Sequence, residues 1–166
     1  MRVTIAQINT TNGDIAGNTS KIVDAINKAK RQGSDLIVFP EIATHGYTSQ
    51  DWFQYADIIA AAGEAVGEIV TSTAGITAIV GTIRANEDKD GRRLFNSAAV
   101  MSEGKLLGYA DKSLLPEYDV FDDPRYFEPS DHRSVFEIGG VKVGVVVCED
   151  FWNDKTFWDE RLYDSD

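Results

Sequence analysis

The only cysteine of the chain, Cys148, stands directly after the run "VKVGVVV" (141–147) and directly before two carboxylates, Glu149 and Asp150. The thiolate is the nucleophilic form of cysteine, and neighbouring carboxylates disfavour it. Chemistry at Cys148 therefore requires a proton acceptor and a positive charge supplied from elsewhere. Two residues stand where strands are predicted to end, the position at which open α/β folds place catalytic groups. Glu41 follows "DLIVFP", and Lys112 follows "LLGYAD". Together they complete a nucleophilic site: Glu41 takes the thiol proton, Lys112 offsets the acidic surroundings and steadies an oxyanion, and Cys148 attacks. A free thiol with its ordinary pKa of about 8.5 is mostly protonated at neutral pH, so a positioned base is needed. Singly, a lone buried cysteine is usually inert packing, and a Glu or Lys after a strand is usually solvated. The combination carries the argument.

His45, four residues beyond Glu41, is a rival base for a Cys–His pair of the kind common among hydrolases. The spacing favours neither residue. His132 lies in the polar stretch "PSDHRS" and is expected to be exposed.

These residues must be held by the elements around them. "RVTIAQI" (2–8) reads as a strand, with Val3 and Ile5 alternating against Arg2 and Thr4. After a turn-rich stretch, Asn18 or Thr19 is the expected cap of a helix in which Ile22, Ala25, Ile26 and Ala29 form one apolar face. Lys28, Lys30 and Arg31 suit its C-terminal end, and Gly33 can stop it. "DLIVFPE" then reads as a buried strand, Leu36 to Phe39, closed by Pro40, so the chain opens as a βαβ unit with a parallel pair. A second helix is expected over about 54–71, then strands at 76–83, 94–101 and 106–111. The segment 112–133 carries Pro116, Pro124 and Pro129 and reads as irregular. "VFEI" and "VKVGVVV" pair across Gly139-Gly140 as a hairpin, with the second strand expected to be buried up to Cys148.

The 166 residues suit one domain with a sizeable core. With 16 Lys and Arg against 27 Asp and Glu, the net charge of −11 disfavours nucleic acid or an anionic membrane as a partner. One cysteine excludes an intrachain disulfide and multi-cysteine zinc sites, and a free thiol suits a reducing compartment, hence the cytoplasm. No run approaches the length of a membrane span. No repeat, low-complexity tract or interdomain linker interrupts the chain. About seven strands are too few to close two large packed sheets, and Trp158, Leu162 and Tyr163 near the end look like material meant to pack. The fold is therefore expected to be incomplete on its C-terminal side.

"FPE" (39–41), "DKSLLP" (111–116) and "VCED" (147–150), in this order, resemble the three motifs of the carbon–nitrogen hydrolase (nitrilase) superfamily. "KSLLPEYDVFDDPRYFEP" (112–129) and "CEDFW" (148–152) are further similar to the glutaminase domains of glutamine-dependent NAD synthetases. The resemblance spans nearly the whole chain. It implies an α/β fold, a nitrilase-like α-β-β-α sandwich of which residues 1–166 are the N-terminal part, with the synthetase domain absent. It implies a Glu41–Lys112–Cys148 triad and so favours Glu41 over His45. Tyr118 matches a tyrosine that contacts glutamine, and Tyr47 one near the catalytic glutamate. Glu149 and Trp152 belong to the cysteine motif and would shape the substrate pocket. Where the family commonly reads Phe-Asp-Glu, this chain has Phe121-Asp122-Asp123, so Asp123 would have to support the triad with a side chain one methylene shorter. Magnesium binding by Asp122 and Asp123 is the weaker use of that pair.

The implied activity is hydrolysis of the glutamine amide, supplying ammonia for ATP-dependent conversion of nicotinic acid adenine dinucleotide to NAD. That step would need no metal or cofactor, with ATP and magnesium serving the synthetase domain. Partners implied are glutamine, the synthetase domain and, at full length, further copies of the chain. The alternatives are a free-standing amidase acting on another small amide and a catalytically silent fragment.

Overall fold

The computed structural model describes residues 1–47, 50–88 and 90–153. Trp158, Leu162 and Tyr163 lie outside the described residues.

Helix α1, Ile15–Arg31, forms where the apolar face was expected, with Ile22, Ile26 and Ala29 buried and Lys28, Lys30 and Arg31 in the last turn. Its start differs from expectation. Asp14 is the cap and accepts a hydrogen bond from the Gly17 N–H, while Asn18 and Thr19 lie inside the helix and are buried. Asn18 does other work: its amide bonds both backbone groups of Thr11 at 2.8 Å and donates to the Thr44 carbonyl at 3.2 Å, tying the helix to the turn after Glu41.

Strands β1 (Val3–Ile5), β2 (Leu36–Val38) and β3 (Thr77–Ala85) run parallel, and β4 (Leu94–Ser102) and β5 (Lys105–Asp111) continue the sheet antiparallel in the order β1-β2-β3-β4-β5. Helix α2, Ala56–Thr71, follows a 3-10 turn at Gln50–Gln54. α1 and α2 cover one face of the sheet, where Ile26 and Ile69 meet Ile37, Ala78 and Val80. β6 (Ser134–Ile138) and β7 (Val141–Val145) form a separate antiparallel hairpin over the other face. Its turn residues Gly139 and Gly140 have φ of +56° and +77°, the left-handed pair that a two-residue hairpin demands. Ile138 and Val147 there pack on Leu36, Ile79, Ala98 and Val100. Among the described residues the layers are therefore α, β, β. The middle strands are buried on both faces, which explains why β3 and β4 read as continuous apolar runs.

Three expectations are corrected. β1 is only three residues long, and Val3 and Ile5 are exposed while Thr4 is half-buried. Their partners Leu36 and Val38 face the hairpin layer, so Val3 and Ile5 lie on that side of the sheet, at its edge. The valine run before Cys148 is not a buried strand. Val143 and Val145 turn towards the sheet, whereas Val141 and Val146 are 46% and 52% exposed. Finally, the 112–133 segment contains one helical turn, α3 (Asp123–Tyr126), opened by Pro124. No helix among the described residues is long and apolar enough to cross a membrane.

The end of β2 is held very close to β3. A Cβ on Gly81 would lie 2.2 Å from the Pro40 carbonyl oxygen and 2.4 Å from the Ile42 nitrogen. Only glycine lets the Pro40–Ile42 corner sit on the sheet. Gly81→Ala is expected to cost about 1–3 kcal/mol through overpacking and to displace Glu41. Thermal unfolding should show a drop of several degrees, at roughly 2–4 °C per kcal/mol, with activity lost beyond what the stability change explains. A variant with unchanged melting and activity would show that the corner is free to move.

Candidate active site

The corner that Gly81 admits presents Glu41. Ile42 follows with φ of +49°, and its carbonyl accepts the His45 and Gly46 N–H groups, closing a turn. Lys112 leaves the end of β5 with its N–H on the Asn96 carbonyl at 2.8 Å. Its side chain is fully buried, a placement tolerated only with counter-charges. Glu41 Oε1 accepts from Lys112 Nζ at 2.8 Å, and Asp123 Oδ2 accepts from it at 2.7 Å. Burial alone would lower the Lys112 pKa, but the two carboxylates outweigh it and hold it above its ordinary value. Burial raises the Asp123 carboxyl, with Lys112 working against it. Asp123 thus reaches the ammonium despite its shorter side chain, because α3 brings its backbone close.

Cys148 opens a 3-10 turn, Cys148–Phe151, with φ of +48°. The residue is exposed, yet the protein around its sulfur still removes part of a thiolate's hydration. That desolvation, the Glu41 charge and a hydrogen bond to Glu41 push the thiol up to about 11, with Lys112 opposing. At neutral pH the thiol is the resting form.

Tyr118, Glu149 and Tyr47 gather here. The Tyr118 hydroxyl donates to Glu149 at 2.9 Å, which raises its pKa, and Glu149 is buried. Burial raises the Tyr47 phenol strongly, reinforced by the charges of Asp123, Glu41, Cys148 and Glu149. Phe121 stands edge-on to Tyr47 and to Tyr118, with ring centroids at 6.2 Å and 5.5 Å. Trp152 ends the cysteine turn and is half exposed. His45 lies apart from this cluster. Its Nδ1 is 2.7 Å from Thr44 Oγ1, its ring meets Phe53 edge-on, and burial lowers its pKa to about 4. The groups acting on the Cys148 thiol are Glu41, Lys112 and Glu149. His132 is exposed beside Asp131. Asp122 and Asp123 face different cations, Arg125 and Lys112, so they do not form a joint pair.

Residues 2–161 match the Carbon-nitrogen hydrolase family. The chain belongs to that family. As a carbon–nitrogen hydrolase it is 40% identical over 155 residues to the glutamine-dependent NAD(+) synthetase of Thermotoga maritima, covering 92% of this chain and 26% of that one. It is 36% identical over 165 residues to the synthetase of the same name from Synechocystis, covering 97% of this chain and 30% of the relative. The solved structure of glutamine-dependent NAD+ synthetase from Acinetobacter baumannii in complex with ADP matches with a TM-score of 0.85 at 38% identity, over 93% of this chain and 29% of that one. NitN amidase from Neterenkonia sp. AN1 shares the fold, with a TM-score of 0.74 at 23% identity over 92% of this chain and 58% of that one. The chain spans about a quarter to a third of the length of the synthetase relatives, in which the matched region is part of a longer chain.

Two polar residues of this carbon–nitrogen hydrolase site escaped the sequence reading. Asn96, buried in β4, donates from Nδ2 to Glu41 Oε1 at 2.7 Å. Asp150 accepts from the Ser113 and Leu114 N–H groups at 2.9 and 2.8 Å and from the Val147 N–H at 3.1 Å, joining the lysine segment to the cysteine turn. In the sequence Asp150 is only an acidic neighbour that disfavours a thiolate. Asn96 sat within an apolar strand, and a lone asparagine in such a run was the available signal.

Because the thiol is held up to about 11, iodoacetamide labelling of Cys148 should climb with pH through the range where ordinary thiols have levelled off. At pH 8 the thiolate fraction is about one in a thousand, tenfold less per unit below that pKa. Glu41→Gln removes a negative charge and the charged acceptor, so its labelling at pH 8 should be faster. A plateau near pH 9 in the parent protein would contradict this electrostatic account.

Proposed function

We propose that the chain hydrolyses the side-chain amide of glutamine through Glu41, Lys112 and Cys148, and that the ammonia serves ATP-dependent conversion of nicotinic acid adenine dinucleotide to NAD by the synthetase part of the full protein. One observation carries the reading: a buried ammonium, Lys112, bridges Glu41 and Asp123 beside the Cys148 thiol, on which the Glu41 and Lys112 charges both act. The names of the relatives at 36–40% identity support glutamine as the amide and NAD synthesis as the use of the ammonia.

Cys148 Sγ attacks the amide carbon while its proton passes to Glu41. The carbonyl electron pair becomes an oxyanion. An ammonium has three N–H donors; two of those on Lys112 are committed to Glu41 and Asp123, and the third is available to the oxyanion. A backbone N–H near the cysteine is the second donor, each such donor being worth about 2.7–4 kcal/mol. Glu41 returns its proton to the amide nitrogen, the C–N bond breaks, and ammonia leaves a thioester on Cys148. Water then attacks, giving a proton to Glu41, and glutamate departs as the thiol recovers its proton. The sum is glutamine plus water to glutamate plus ammonia. Tyr47, Tyr118, Glu149 and Trp152 form the substrate side of the site, with Glu149 offering a carboxylate to the α-ammonium. The positive charge the step requires comes from Lys112, so it calls for no cofactor; ATP and magnesium would act in the synthetase domain.

Glu41→Gln, which keeps the shape and loses the base, should lower kcat for glutamine by about 10²–10⁴, while His45→Ala stays within a few-fold once its folding is verified. Ammonia release measured with glutamine and with acetamide tests both parts. A crippled His45→Ala beside a mild Glu41→Gln would install the Cys–His scheme, and equal turnover of the two substrates would make the protein a general amidase.

A further inference from the structure

Asn96 is fully buried in β4 and bonds Glu41 and Lys112 at once. Its backbone carbonyl accepts the Lys112 N–H at 2.8 Å, and its Nδ2 donates to Glu41 Oε1 at 2.7 Å. That same Oε1 also accepts from Lys112 Nζ at 2.8 Å. Asn96 Nδ2 and Lys112 Nζ therefore converge on one oxygen of the carboxylate, leaving the lone pairs of Oε2 uncommitted to them. The amide orientation follows from chemistry, since the Asn96 carbonyl turned towards Glu41 would set two acceptors face to face. In this orientation Oδ1 is buried and has no hydrogen-bond partner among the described residues. A buried, unsatisfied amide oxygen weakens a fold, and such groups call for a reason beyond packing.

We propose that Asn96 is a positioning residue that dedicates Glu41 Oε1 to Lys112 and to itself, so that Oε2 is the oxygen that takes and returns the proton. The inference rests on the glutaminase reading above. Without Asn96, the carboxylate pivots on a single ammonium and either oxygen can turn to the lysine. The groups facing Glu41 are then Lys112 from the end of β5, Asp123 from α3, Cys148 from the cysteine turn and Tyr47 from the turn after β2. None of these takes over the place of Asn96 on Oε1: Asp123 carries a second carboxylate, Lys112 is already engaged, the Cys148 proton is the one to be transferred, and Tyr47 makes no hydrogen bond to Glu41 among the described residues. An N–H aimed at a carboxylate favours its ionised form, so removing it makes Glu41 easier to protonate.

The test is kinetic, with Asn96→Leu and Asn96→Ser in the protein that releases ammonia from glutamine. Leucine keeps the branching of the side chain and removes the unpartnered oxygen, which offsets its larger methyl groups, so its melting temperature should change little. Its kcat should drop at least tenfold with KM within about twofold, and the acid limb of the pH–rate profile should move to higher pH. Serine, too short to reach Glu41, should give the same pattern if leucine does not fold. An acid limb that stays in place in the folded variants, whatever happens to the rate, overturns the positioning role. If the parent protein releases no ammonia, the glutaminase reading fails and labelling of Cys148 decides this inference by itself. Withdrawing the Asn96 N–H leaves more negative charge facing the thiol, so iodoacetamide labelling at pH 9 should be slower in Asn96→Ser. Equal labelling rates would then overturn it.

Discussion

A fully buried ammonium is the constraint around which the rest of the molecule is arranged. Lys112 has no access to water, and an uncompensated charge in that position would cost several kcal/mol after every relaxation the protein can make. Its two counter-charges come from distant parts of the chain: Glu41 from the corner after β2 and Asp123 from the turn α3. The lysine is therefore satisfied only when three loops arrive together. That requires the Pro40–Ile42 corner to lie against Gly81, β5 to end with its N–H on Asn96, and Pro124 to start α3 in the right place. Replacing such an ion pair by apolar groups is often neutral for stability, so its retention is explained better by the position and charge it gives the site than by any contribution to folding.

The same charges explain why a cysteine is followed by acids. Glu41, Glu149 and the loss of hydration all oppose a thiolate, and Lys112 offsets them only in part. In the proposed reaction, attack would then be coupled to proton transfer to Glu41 and would not draw on a preformed thiolate. A protonated thiol is also a poor target for oxidants and alkylating agents, which suits an exposed cysteine. The neighbouring Asp150 has a different task. Its carboxylate gathers three backbone N–H groups from the lysine segment and the cysteine turn, locking two of the site's loops to each other.

The hairpin β6–β7 delivers Cys148 to one face of the five-stranded sheet, and the helices hold the other. Glu41 and Lys112 both leave strands of the main sheet, so Cys148 and the proposed base belong to different layers. Their meeting depends on how the hairpin packs on Leu36, Ile79 and Ala98. The packing between the sheets therefore sets the geometry of the site, and a cavity of about 340 Å³ between them has Glu41 and Cys148 in its wall.

The chain's local chemistry was legible from its residues. The period of Ile22, Ile26 and Ala29 gave α1, the Gly139-Gly140 pair gave the hairpin, and strand ends pointed to Glu41, Lys112 and Cys148. Features that depend on distant neighbours were not. Nothing local says that Val3 and Ile5 face outward, because that is decided by how far the hairpin reaches across the sheet. Asn18 reads as a cap until the turn after Glu41 supplies a partner for its amide. Asp123, one methylene short of the expected glutamate, was ambiguous by length alone; the placement of α3 brings its backbone near enough to reach Lys112. Asn96 and Asp150 are the sharpest cases, since each of these hydrogen bonds reaches 16 or more residues along the chain, apart from the bond from Val147 to Asp150. Residue identity and spacing determined which groups can do chemistry. Which oxygen faces which proton was decided by tertiary packing, because a hydrogen bond is set by tenths of an ångström between segments whose approach no local pattern encodes.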